Sequence, residues 1–88
     1  MATLVKQPSQ ETVSHRDIYL SASMTASGFI PMLQDRSGVV YFTFHGDATK
    51  LKAIEEAYWA GTLKLPVRQA FENLRTLKDR LYAAKGSR

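Results

Sequence analysis

Hydrophobic and polar positions along this chain change period several times, and each change marks an element. Residues 1–12 have no periodicity and carry Pro8 and Ser9, so they read as a flexible arm. Ser14-x-x-Asp17 then has the form of a helix-capping box. Behind it, Ile18/Ala22/Ala26 and Leu20/Met24 fall at i,i+4 spacing, although Ile18, Leu20, Ala22 and Met24 also alternate as in a strand. The cap before them and Gly28 after them favour a helix opening at Ser14. Phe29–Leu33, a polar stretch from Gln34 to Gly38, and Val39–His45 predict a β-hairpin. In its second strand Val40, Phe42 and Phe44 share the core face, and Tyr41, Thr43 and His45 the outward one. Pro31 cannot donate to a ladder, which places its strand at an edge or a bulge.

Asp47 is a good N-cap for a second helix, Ala48–Ala60, which Gly61 closes; Leu51, Ile54, Ala57 and Tyr58 line its apolar side, with Trp59 at the margin. Thr62–Leu65 alternates and can supply a short third strand. Pro66 suits the first turn of a last helix, in which Val67, Ala70, Phe71, Leu74, Leu77, Leu81 and Ala84 recur at spacings of three and four. The expected architecture is α+β, in the order α-β-β-α-α, with helices covering one face of a small antiparallel sheet. One domain over residues 13–85 follows the arm, and residues 86–88 are expected to fray.

The ordered landmarks are Asp17-Ile18-Tyr19-Leu20, Gly28, Val40-Tyr41-Phe42-Thr43-Phe44, Ala57-Tyr58-Trp59-Ala60-Gly61, Pro66-Val67-Arg68-Gln69-Ala70-Phe71 and Leu77-Lys78-Asp79-Arg80-Leu81-Tyr82. Over roughly residues 14–82 this series resembles a family of short bacterial and mobile-element domains of unknown function. The resemblance implies a small stand-alone domain and brings no activity, cofactor or catalytic residue with it.

Composition narrows the chemistry. The 88 residues are enough for one domain, and a chain of this size buries a modest core. Without cysteine there is no disulfide, thiolate metal site or thiol nucleophile, which suits a reducing cytoplasm. No apolar run reaches membrane-spanning length, and Met1–Gln10 lacks a signal-peptide core. The net charge of +4 is uneven. Residues 1–63 hold five basic and six acidic side chains; residues 64–88 hold seven and two.

That asymmetry makes nucleic acid one partner to weigh, with Lys50, Lys52, Lys64, Lys78, Arg80 and Lys85 as candidate phosphate contacts. Against it, Arg68, Glu72, Arg75 and Asp79 alternate in sign, as on a solvated helix. A helix-turn-helix pattern is also missing. A second surface comprises Tyr41 and Thr43 on the outward hairpin face, with Trp59. Two strands alone are marginal, and pairing two hairpins across a two-fold axis would complete a sheet. The favoured role is therefore a non-catalytic module that binds protein, with a second copy of itself as a candidate partner.

An enzyme or metal site is a remote alternative. His15-x-Asp17 and His45-x-Asp47 repeat one spacing, but capping explains both aspartates better. Ser14, Ser21, Ser23 and Ser27 fit no nucleophile motif, no Gly-rich phosphate loop occurs, and no cofactor is implied.

Overall fold

The computed structural model describes residues 10–86. The elements follow the order β1 (Gln10–His15), α1 (Ile18–Ala26), β2 (Met32–Arg36), β3 (Val39–Asp47), α2 (Ala48–Ala60) and α3 (Val67–Gly86). The strands form one antiparallel sheet in the order β1-β3-β2, and the helices pack on one of its faces.

The expected α+β class holds, and the third strand comes from an unexpected place. Residues 10–12 of the presumed arm pair with β3, Gln10 opposite Asp47 and Thr12 opposite His45. Residues 1–9 of that arm lie outside the described residues, as do 87–88 of the expected frayed end; α3 runs on to Gly86. Thr62–Leu65 forms no strand. Ser14 does not cap a helix; it lies in β1 opposite Thr43. The cap of α1 is Asp17, whose Oδ1 accepts from the amides of Tyr19 at 2.8 Å and Leu20 at 3.1 Å. The physical reason is that β3 would otherwise leave one side of its backbone unpaired, and a cap needs only one extended carboxylate at the helix entrance.

The hairpin turn is tighter than the polar stretch implied. β2 continues to Arg36, and the turn consists of Ser37 (φ 55°) and Gly38 (φ 87°). Two left-handed central residues define a type I′ turn, whose twist matches that of paired strands. Asp35 Oδ1 accepts from the Gly38 amide at 2.9 Å and fixes it. Pro31 lies just before β2 and outside its ladder, and β2 is an edge strand.

Phe42 and Phe44 of β3 meet Leu20 and Met24 of α1, Leu51 of α2 and Leu77 of α3 to form the core. β3 passes directly into α2 through Asp47, which accepts from Thr49 N at 2.8 Å and Lys50 N at 3.2 Å. One position before it, Gly46 lies under the ring of Phe29; a Cβ there would sit 2.6 Å from Phe29 Cε1. α3 turns Leu77 fully inward and Ala70, Leu74 and Leu81 partly so.

Candidate functional site

The open face of the sheet is the first candidate surface, and most of its polar side chains are engaged with one another. Register aligns Ser14, Thr43 and Met32 in one row, with Thr12 beside His45 and Gln34 beside Tyr41. The Ser14 and Thr43 hydroxyls share a hydrogen bond of 3.0 Å, and Thr43 donates to Gln34 Oε1 at 3.3 Å. Arg36 Nη2 donates to Gln34 Oε1 at 2.7 Å and to Ser14 Oγ at 3.0 Å. Its guanidinium carbon stands 4.5 Å from the Tyr41 ring centroid. Thr12 Oγ1 and His45 Nδ1 share a further bond of 2.9 Å.

This network engages the polar side chains around Tyr41 and Thr43 with one another. Thr43 is only 6% exposed. Trp59 is exposed, but it belongs to α2 in the helical layer and meets Tyr58 edge-on at 4.9 Å between centroids. Tyr41, Thr43 and Trp59 therefore do not form one patch. With β1 in place, the hairpin also needs no second copy to complete its sheet.

The two histidines lie on opposite faces. His45 shares the open face with Thr12; His15 is opposite Phe42 and so faces the helices, where its Nδ1 is 3.8 Å from Glu55 Oε2. The sheet itself separates them, and Asp17 and Asp47 are engaged as caps. Among the described residues, no three His, Asp or Glu side chains gather as metal ligands would. Ser21, Ser23 and Ser27 donate to carbonyls four residues back in α1, at 2.8–2.9 Å, so their hydroxyls serve the helix itself.

The basic candidates are dispersed. Lys50 and Lys52 stand two residues apart on α2, as do Lys78 and Arg80 on α3, and each pair points about 160° apart around its helix. Lys64 is exposed in the connection before α3 and Lys85 near its end.

The helical layer offers a different surface. Val67, Phe71 and Tyr82 of α3 are 67%, 66% and 66% exposed, and Tyr19 of α1 is 56% exposed. The row of Val67, Phe71, Lys78 and Tyr82 runs about 80° around α3 from its inward row of Ala70, Leu74, Leu77 and Leu81. Phe71 borders three adjoining depressions. One reaches Tyr19, Ser23 and Tyr58, another Lys78 and Tyr82, and the third Val67 and Glu72. At the inner edge, burial raises the Tyr58 phenol above its ordinary value. The negative charge of Asp17 and a hydrogen bond to it act in the same direction, with a smaller effect from Tyr19.

Sequence periodicity groups Val67 and Phe71 with Ala70, Leu74, Leu77 and Leu81 in one apolar series. Spacing alone does not separate them, because an apolar stripe of about 100° or more is also what a helix with one packed face shows. No family model, curated protein or solved structure matches the chain.

Proposed function

We propose that this chain is a small, non-catalytic protein-binding module acting in the cytoplasm, with the helical face centred on Phe71 as its contact surface. The observation that carries this reading is Phe71 itself, two-thirds exposed and common to three depressions on one side of α3. Burying a phenylalanine or valine contributes about 1.5–3 kcal/mol, a gain that Val67 and Phe71 largely forgo among the described residues. Aromatic and arginine side chains are also the types that dominate binding energy at the centres of interfaces, and Arg68 and Arg75 adjoin Phe71. The scattered lysines give less support to a phosphate-binding surface. In the described residues no helix is long and apolar enough to cross a membrane.

Site-specific photocrosslinking in the cells that make the chain tests the reading. A photoreactive side chain at position 71 should give a discrete protein adduct, and one at exposed Lys52 should not. Identical smears from both positions would contradict it, as would protection of position 71 by a bound oligonucleotide.

A further inference from the structure

We infer that the partner on this face is a second copy of the chain, docked with α3 antiparallel to α3; this rests on the protein-binding reading above. The charge pattern beside the apolar row points to it. Arg68, Glu72, Arg75 and Asp79 follow one another along α3 at spacings of four, three and four, with signs plus, minus, plus, minus. Read from the opposite end, the row has the opposite sign at each place. An antiparallel copy therefore sets Arg68 against the copy's Asp79 and Glu72 against its Arg75. Both pairs are centred on the Asn73–Leu74 peptide, so a single two-fold axis satisfies them and their symmetry mates together.

The symmetry places the correct flanks together. A two-fold relating antiparallel helices is perpendicular to both and to the line joining them, so each flank meets its own counterpart. The charged flank then lies over the charged flank, and the Tyr19 side over the Tyr19 side. Between them, Phe71 stands about 4 Å along the helix from the two-fold axis and its copy the same distance on the other side. Val67 and the copy's Tyr82 lie within about 3 Å of each other along the helix axis. Lys78 interrupts the apolar row, and its place on the helix is less than one turn along the axis from the copy's Glu72. A parallel arrangement in register would set like charges together.

The same charges also pair within one helix. Arg68 Nε donates to Glu72 Oε2 at 3.2 Å, with the arginine 90% exposed. Exposed pairs of this kind are weak and exchange at little cost. Two helices of about 30 Å with one flanking tyrosine form a small interface, so association belongs in the micromolar range.

Sedimentation equilibrium on the full chain separates the two uses of these charges. The wild type should rise from 9.9 kDa toward twice that mass as its concentration passes through the micromolar range. Arg75→Glu and Glu72→Arg each set like charges across the axis, and each alone should lose about tenfold in association. Their equimolar mixture restores both pairs between unlike chains and should recover the wild-type level. Charges acting only within their own helix cannot be rescued by mixing, so two weakened variants without recovery would overturn the inference. A wild type that stays at 9.9 kDa would overturn it too. In that case a position-71 crosslink to a different protein would still uphold the binding reading, and no discrete crosslink would remove both. Circular dichroism checks that each variant folds, and Arg68→Glu with Asp79→Arg repeats the same logic at the outer pair.

Discussion

The two broad surfaces of this domain handle exposure in opposite ways. The open sheet face is mostly polar, with Met32 exposed on its edge strand, and Ser14, Thr43, Gln34, Arg36 and Tyr41 satisfy one another across three strands. The α3 face is apolar, and Val67, Phe71 and Tyr82 remain largely uncovered. A sheet can finish a face with cross-strand pairs between its own side chains. A helix carrying two apolar rows needs two neighbours, and the described residues cover α3 on one side only. The difference locates the surface that binding would complete.

Two phenylalanines sharpen the contrast most. Phe44 is fully buried, so Phe44→Ala should cost about 3–5 kcal/mol in a denaturant titration of dilute protein. Phe71→Ala, measured alongside it, should stay within about 0.5 kcal/mol of the wild type. Equal losses would mean that Phe71 is a core residue. Gly46→Ala comes next, because its Cβ would meet the Phe29 ring; about 1–3 kcal/mol should be lost, and Phe29→Leu in the same chain should recover part of it.

On the sheet face, Thr43→Val keeps the shape and removes the hydroxyl that joins Ser14 to Gln34. A loss of about 1 kcal/mol is expected, with no change in association. Altered association there would erase the distinction between the faces. The smallest effect is a pH dependence. Because the folded chain holds the Tyr58 proton more tightly than an ordinary tyrosine of pKa 10.0, its contribution is fully present below that pH. It should be lost as pH rises through the higher folded value. Tyr58→Phe should flatten the alkaline limb of stability against pH, and an unchanged limb would count against the burial that holds this proton.

Much of this fold was legible in the residues because local signals agreed. Alternation of Val40, Phe42 and Phe44 fixed the buried side of β3, and Asp47 and Gly61 bounded α2. β1 escaped because Val13 is its only bulky apolar residue, so it has no alternation to see. Its pairing joins residues roughly 30 positions apart, which no local signal encodes. Ser14-x-x-Asp17 also mimicked a capping box while its serine served a strand. For the candidate surface, α3 displayed its apolar positions plainly, but which row was covered depended on how much of it the neighbouring elements reach. The buried state of Thr43 depended likewise on β1.

An NMR dilution series on the full chain compares the two faces in one experiment. Resonances of Val67, Phe71 and Tyr82 should shift together as concentration rises through the micromolar range, and those of Tyr41, Thr43 and His45 should stay fixed. Shifts confined to the sheet residues, or none on either face, would contradict the account.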